Sequence, residues 1–136
     1  IWNYIRAPIS QKGMVIFMKV LNSKWLNPLN KMPLDPLANI IFFPYAGGHS
    51  YCYSPMVKSL PMHRCLGVEL AGKGMRLDEE PDTDIRSIVE NISSILVNSW
   101  CENTILFGHS MGALLAFECA RTLEAKYHKT PQALIV

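Results

Sequence analysis

The stretch Asn103–Arg121 constrains the fold of this chain more than any other part of the sequence. It opens with a short apolar run, Thr104–Phe107, which predicts a buried strand. The turn Gly108-His109-Ser110-Met111-Gly112 follows, and the next segment, Ala113–Phe117, is rich in good helix formers. A strand, a G-x-S-x-G turn and a helix in this order predict a nucleophile elbow.

The residue types in this turn have a steric reason. The turn is so tight that the residues two before and two after the serine, Gly108 and Gly112, must be nearly free of side-chain atoms. Ser110 is then expected to hold a strained backbone conformation, with its hydroxyl clear of the sheet. The following helix directs its unpaired N–H groups at the reacting centre. Although G-x-S-x-G occurs by chance in many chains, the flanking strand and helix favour a serine nucleophile here.

Outside this stretch, apolar runs alternate with segments of helical spacing. The predicted strands are Ala38–Phe43, Cys65–Leu70, Thr104–Phe107 and Gln132–Val136. The predicted helices are a short one stopped by Pro61, one capped by Thr83 or Asp84, and one that runs from the elbow to about Lys126. Residues 22–35 contain two prolines and polar side chains, and are expected to be irregular. The alternation predicts an α/β domain with a parallel sheet and right-handed crossovers.

Composition limits the classes of function. The chain has 136 residues, 49% of them hydrophobic and 18% charged, with a net charge of +2, as expected of one globular domain. So small a charge gives no reason to expect nucleic acid or an anionic membrane as a partner. The four cysteines lie far apart without a C-x-x-C pair, which disfavours a zinc site. They are interpreted as reduced, mostly buried thiols of a cytoplasmic protein.

The first residue is Ile1, and residues 1–24 are treated as a leader of uncertain structure. The apolar run Gly13–Leu21 is too short to span a membrane, and no signal-peptide cleavage site follows it. Either Met14 or Met18 could be a true start. Residues 25–136 are assigned to the domain itself.

Two further loops contain glycines directly after predicted strands. In Pro44–Ser50, Gly47 and Gly48 allow either a close backbone approach to a ligand or a simple turn. The second loop, Ala71–Leu77, is equally compatible with a flexible surface turn and with a role in binding. Neither loop identifies a function by itself.

Three ordered motifs together resemble the type II thioesterases, which accompany nonribosomal peptide and polyketide synthases and have a relative that serves animal fatty acid synthase. The motifs are Phe42–Gly48, Val68–Leu77 and Leu106–Phe117, and the resemblance covers roughly residues 25–136. Departures are mild, since Ala71 replaces the usual proline and Lys73 the usual arginine.

The resemblance implies an α/β-hydrolase fold and a Ser-His-Asp triad that hydrolyses acyl groups from the phosphopantetheine thiol of an acyl or peptidyl carrier protein. It implies no cofactor or metal of the chain's own. By match to the family motifs, Ser110 is the nucleophile, and the backbone N–H groups of Met111 and Ala46 hold the oxyanion. His109 is rejected as the base because adjacent side chains in such a turn point apart. His49 is expected to shape the pocket entrance.

The triad's other two members have no match. No aspartate follows Ser110, and the acids there are Glu118 and Glu124, both on the predicted helix. The only later histidine, His128, would lie about 27 Å from Ser110 along a continuous helix, at about 1.5 Å per residue. The resemblance is therefore to the N-terminal half of a thioesterase, and the chain is expected to be inactive alone. Alternatives left open are a non-catalytic remnant that binds a carrier protein or partner, and another serine esterase or acyltransferase.

Overall fold

The computed structural model describes residues 23–136. The apolar run Gly13–Leu21 and nearly all of the leader assigned to residues 1–24 lie outside the described residues. The strands are β1 (Leu26–Pro28), β2 (Asn39–Phe43), β3 (Arg64–Val68), β4 (Thr104–Gly108) and β5 (Ala133–Ile135). The α-helices are α1 (Ser54–Val57), α2 (Ile85–Asn98) and α3 (Met111–Tyr127), and single 3-10 turns occupy Ser50–Tyr53 and Gly74–Arg76.

The five strands form one sheet in the order β1-β3-β2-β4-β5. β2 is central and pairs in parallel with β3 and β4, while β5 adds in parallel to β4. All five residues of β2 are buried, as expected for a strand covered on both faces of a parallel sheet. The predicted α/β class and the four predicted strands are confirmed, with ends that differ by one or two residues.

The expectation that residues 22–35 are irregular is wrong for β1. This three-residue strand pairs antiparallel with β3, with Leu26 opposite Val68 and Pro28 opposite Leu66. It is too short to show a period, and Pro28 argues against a strand unless that strand lies at an edge, which is where β1 lies. Trp25 and Leu26 are nevertheless buried, so burial of these two side chains holds the segment against the sheet.

Successive side chains of β2 point to opposite faces of the sheet, and each face has its own apolar layer. Ile41 and Phe43 belong to the larger cluster, which includes buried residues of α2 and α3. Ile40 and Phe42 belong to the smaller cluster, with Val57 of α1. The sheet is therefore covered by two long helices on one face and by the short α1 on the other.

The helix limits follow local capping chemistry. The Asp84 side chain accepts a hydrogen bond of 3.0 Å from the Arg86 N–H at the start of α2, so the predicted cap is confirmed. α3 ends at His128, which adopts the left-handed conformation at φ 53°. The predicted helix before Pro61 is a 3-10 turn continued by the four-residue α1.

All four cysteines are free thiols, of which Cys65 and Cys119 are buried. Burial raises the pKa of Cys65 to about 11 and that of Cys119 to about 12, so both stay protonated at neutral pH. Within residues 23–136, no helix combines the length and apolar character needed to cross a membrane.

Candidate active site

The turn between β4 and α3 contains a strained residue. Ser110 has φ 57° and ψ −123°, and His128 is the only other non-glycine residue with positive φ in residues 23–136. The Gly112 N–H donates to the His109 carbonyl at 3.0 Å, and the Ala113 N–H donates to the Ser110 carbonyl at 3.0 Å. Strain of this kind costs about 1–3 kcal/mol per residue and clusters at functional sites.

The two glycines of the turn are required by close backbone packing. A Cβ atom on Gly108 would collide with the backbone of Gly112 and Ala113. A Cβ atom on Gly112 would collide with the carbonyl oxygens of Phe43 and Pro44. The predicted steric requirement at both positions is confirmed, and the predicted nucleophile-elbow geometry at Ser110 is present.

The loop after β2, Pro44–Ser50, begins with a tight turn. We call it the oxyanion loop after the role that the family resemblance implies for Ala46. The Gly48 N–H donates to the Tyr45 carbonyl at 2.8 Å, which closes a β-turn with Ala46 and Gly47 at its centre. Gly47 has φ 81°, the left-handed value that such a turn requires at its third position. Ala46 occupies the second position and is exposed.

The elbow and the oxyanion loop meet at one edge of the sheet. β2 and β4 are parallel neighbours, and Phe43 lies opposite Gly108 at their carboxyl ends. Because Gly112 packs directly on the Phe43 and Pro44 carbonyls, the start of α3 contacts the start of the oxyanion loop. Ser110, Met111 and Ala46 therefore follow the ends of adjacent strands.

Two backbone donors at this edge have no partner in the secondary structure. Within the described part of the chain, neither the Ala46 N–H nor the Met111 N–H donates to a loop, turn or cap carbonyl. The Met111 N–H is the first of α3, where the helix geometry offers it no acceptor. Such amides at a helix start stabilise a negative charge that lies close to them.

Three histidines lie near the elbow or at the end of α3. His109 is exposed beside Ser110, and His128 lies at the opposite end of α3 from the elbow. The His49 Nδ1 accepts a hydrogen bond of 3.2 Å from the Tyr51 N–H, so His49 caps the 3-10 turn that follows the oxyanion loop. The distance predicted for His128 from helix length stands, because α3 is continuous over its 17 residues.

A buried carboxylate, Glu69, lies behind the oxyanion loop and has no role that the sequence alone predicts. It directly follows β3 and is fully buried. Its oxygens accept hydrogen bonds from Ser50, Asn27 and Met75. Sequence reasoning missed it because its partners lie up to 42 residues away along the chain. A glutamate at the end of an apolar strand was the only available signal.

The loop Ala71–Leu77 is held by Arg76, although Met75 and Leu77 are exposed. The choice between a surface turn and a role in binding stays open. Arg76 is buried, its Nη1 donates to the Glu69 carbonyl at 2.9 Å, and its guanidinium lies 4.2 Å from the centre of the Trp25 ring. Nε and Nη2 donate to both oxygens of Glu79 at 3.0 and 2.8 Å. The hydrogen bonds from Arg76, followed by that from Lys24, lower the pKa of Glu79 to about 2.

An aromatic cluster supports the oxyanion loop from beneath. Tyr53 packs edge-on against Tyr45 and Phe107, with ring centres 5.9 and 5.2 Å apart, and also contacts Phe42. Burial raises the pKa of Tyr53 above its usual value. The cluster joins the loop after β2 to β4, the strand that leads into the elbow.

Comparison with known proteins identifies the family. The thioesterase domain family matches residues 38–136. The chain belongs to this family. The computed structure is also similar to that of the type II thioesterase BorB from the borrelidin biosynthetic cluster, with a TM-score of 0.73 and 34% identity over 81% of this chain and 44% of BorB. The predicted α/β-hydrolase fold and the resemblance to type II thioesterases are therefore confirmed.

Alignments with two relatives found by sequence cover similar fractions of this chain and of the relatives. The chain is 35% identical over 112 residues to linear gramicidin dehydrogenase LgrE of Brevibacillus parabrevis, which is 81% of this chain and 42% of that protein. It is 33% identical over 123 residues to the medium-chain S-acyl fatty acid synthase thioesterase of Rattus norvegicus, which is 87% of this chain and 43% of the relative. The chain thus spans less than half the length of the relatives that it matches.

Proposed function

We propose that this chain supplies the nucleophile and the oxyanion site of a thioesterase that hydrolyses acyl groups from the phosphopantetheine thiol of carrier proteins. The observation that carries this proposal is the strained Ser110, with the Met111 and Ala46 amides at the same sheet edge, which donate to no backbone carbonyl within residues 23–136. This arrangement fits acyl transfer through a tetrahedral intermediate.

In the proposed reaction, the Ser110 Oγ attacks the thioester carbonyl carbon. The carbonyl oxygen becomes an oxyanion, which the Met111 and Ala46 N–H groups stabilise. Collapse of the intermediate breaks the C–S bond and leaves an acyl-serine, while the thiol departs with a proton. Water then attacks the acyl-serine, which releases the carboxylic acid and returns the serine hydroxyl.

We expect no acceptor for the Ser110 proton among these 136 residues. No aspartate follows Ser110 in the 136 residues, and His128 lies about 27 Å away at the end of α3, by its rise of about 1.5 Å per residue. We therefore expect the base and its orienting acid to come from residues other than these 136. The chain alone is expected to hydrolyse no thioester above background.

The relatives support the carrier-bound substrate. One is named for linear gramicidin, one for fatty acid synthase and one for the borrelidin cluster, which are products or systems of carrier-dependent synthesis. The phosphopantetheine belongs to the partner, so the chain needs no cofactor of its own. An acyl or peptidyl carrier protein is the proposed partner, and the cytoplasm, where free thiols persist, is the proposed location.

A second candidate is a non-catalytic chain that binds a carrier protein or a partner. It is favoured by one observation: no aspartate follows Ser110 in these 136 residues, and the one later histidine, His128, lies at the far end of α3. The two candidates differ in what happens when the triad Asp and His are supplied. A catalytic chain gains activity that depends on Ser110, whereas a binding chain does not.

The test supplies the C-terminal half of a related type II thioesterase, defined as the part after its nucleophile helix that contains its triad Asp and His. It is added as a separate polypeptide or fused after Val136. Hydrolysis of acetyl-carrier protein is compared with hydrolysis of a triglyceride emulsion. We expect a clear preference for the carrier protein that disappears in Ser110→Ala. A preference for the emulsion, or activity that survives Ser110→Ala, would contradict the proposal.

A further inference from the structure

We infer that Glu69 is a positioning residue, whose carboxylate holds the oxyanion loop in the conformation that presents the Ala46 N–H beside Ser110. The inference rests on the proposed role of Ala46, and it adds a residue that touches no reacting atom. The Glu69 carboxylate is fully buried and does not belong to the elbow.

Four hydrogen bonds converge on this carboxylate from three separate segments. Oε1 accepts from the Ser50 N–H at 3.0 Å, and Oε2 accepts from the Ser50 hydroxyl at 2.8 Å. Oε2 also accepts from the Asn27 amide at 3.0 Å and from the Met75 N–H at 3.2 Å. Glu69 thereby ties the last residue of the oxyanion loop to β1 and to the loop after β3.

Only an acceptor-only group suits this position. An ionised carboxylate has about four lone-pair directions and no proton of its own, which matches four incoming donors. Charge-assisted hydrogen bonds of this kind are roughly twice as strong as neutral ones. A glutamine of the same size would replace one oxygen with an NH₂ group, so at least one donor would face another donor.

Two glycines let the network close. A Cβ atom on Gly67 would collide with the Ser50 carbonyl, so the loop end lies directly against β3. A Cβ atom on Gly74 would collide with the Glu69 carboxylate, and Gly74 adopts a positive φ of 47°. Gly67 therefore lets the Ser50 backbone lie directly against β3, and Gly74 lets its own backbone lie directly against the Glu69 carboxylate. A residue with a side chain would not fit at either position.

Because the loop is short, the position of Ser50 restricts the conformation of Ala46. Ser50 lies four residues after Ala46, and the Gly48–Tyr45 hydrogen bond of 2.8 Å fixes the turn between them. At the other end, Pro44 is held by contact with Gly112. With both ends fixed, the direction of the Ala46 N–H depends on where Ser50 is held, and Glu69 holds it.

The test compares Glu69→Gln with Glu79→Gln as a matched control. Glu79 binds Arg76 on the same loop after β3, and the hydrogen bonds that its carboxylate accepts within residues 23–136 come from Arg76 and Lys24, not from the oxyanion loop. The reporter is the Gly48 N–H, whose acceptor is the Tyr45 carbonyl and not Glu69. We expect its hydrogen exchange, measured by NMR on the 136-residue chain, to speed up about tenfold in Glu69→Gln and to stay unchanged in the control.

If Glu69→Gln does not fold, Ser50→Ala replaces it. This variant removes the Ser50 hydroxyl, which donates to Glu69 and accepts from Asn27, and it leaves the carboxylate in place. A Gly48 exchange rate that is unchanged in the tested variant, or raised equally in Glu79→Gln, would overturn the inference. Hydrolysis by the chain joined to the C-terminal half gives a second readout. We expect kcat to fall about 10- to 100-fold in the tested variant with KM nearly unchanged, because oxyanion stabilisation acts in the transition state.

The two readouts separate this inference from the proposed function. If the joined wild-type protein hydrolyses no thioester, the proposed function fails, and the Gly48 exchange rate still decides whether Glu69 holds the loop. If it is active but kcat is insensitive to the tested substitution, the positioning role fails while the function stands.

Discussion

The elbow and the oxyanion loop lie side by side at one sheet edge, yet they are held in different ways. The elbow is fixed by backbone packing, with Ser110 at φ 57° and Gly112 pressed against the Phe43 and Pro44 carbonyls. The oxyanion loop is fixed mainly by side chains, namely the Glu69 network behind it and the Tyr53 cluster beneath it. One half of the candidate site is therefore held by backbone contacts and the other by side-chain contacts.

Because the elbow is crowded, we expect an added methyl group to destabilise the protein more at the elbow than in the oxyanion loop. We expect Gly112→Ala to lower the free energy of unfolding by about 3 kcal/mol, since the new Cβ meets backbone oxygens that cannot rotate away. Chemical denaturation measures the change, with Ala113→Ser on the same helical turn as a control. An unchanged midpoint in Gly112→Ala would mean that the elbow is not held by packing.

What the sequence could predict depends on how close together the relevant residues lie along the chain. The elbow was recognised because its glycines, its serine and its flanking apolar runs are consecutive. Strand and helix positions were predicted for the same reason, since periodicity is a local property. Glu69 was missed because Asn27, Ser50 and Met75 come together only in the folded chain. β1 was missed because three residues cannot show a period, and its partner β3 lies about 40 residues later.

Backbone conformation, and not crowding, limits which residues can replace Gly47 in the oxyanion loop. A Cβ atom on Gly47 would meet nothing within 4 Å, but its φ of 81° is costly for residues with a side chain. Gly47→Ala is expected to destabilise the fold by about 1 kcal/mol, and Gly47→Asn by less, because asparagine tolerates this region better. Equal losses for Ala and Asn in thermal unfolding would point to a steric cause instead.

The smallest expected effect concerns the salt bridge that fixes the loop after β3. Arg76, followed by Lys24, holds the pKa of Glu79 at about 2, below the value of about 4.3 in unfolded chains. Because the pKa of Glu79 is lower in the folded state than in the unfolded state, its charge stabilises the fold at pH values above the unfolded pKa. This stability is lost as the pH falls from about 4.5 towards 2. Glu79 is 38% exposed, so the effect is modest.

Unfolding measured from pH 6 down to pH 2 checks this expectation. The difference in stability between the wild type and Glu79→Gln should shrink steadily as the pH falls through that window. If the difference in stability between the two proteins stays constant with pH, the charge of Glu79 does not contribute to the stability of the fold.

In the proposed reaction Ser110 is the nucleophile, and we expect these 136 residues to supply no base that activates it. An unassisted serine hydroxyl is a weak nucleophile, and loss of the triad histidine costs on the order of 10⁶ in turnover in hydrolases of this type. Labelling with a fluorophosphonate probe tests this central claim most directly. We expect no labelling of the 136-residue chain, labelling once the C-terminal half is supplied, and none in Ser110→Ala. Labelling of the chain alone that vanishes in Ser110→Ala would contradict the account, because it would reveal a base within these residues.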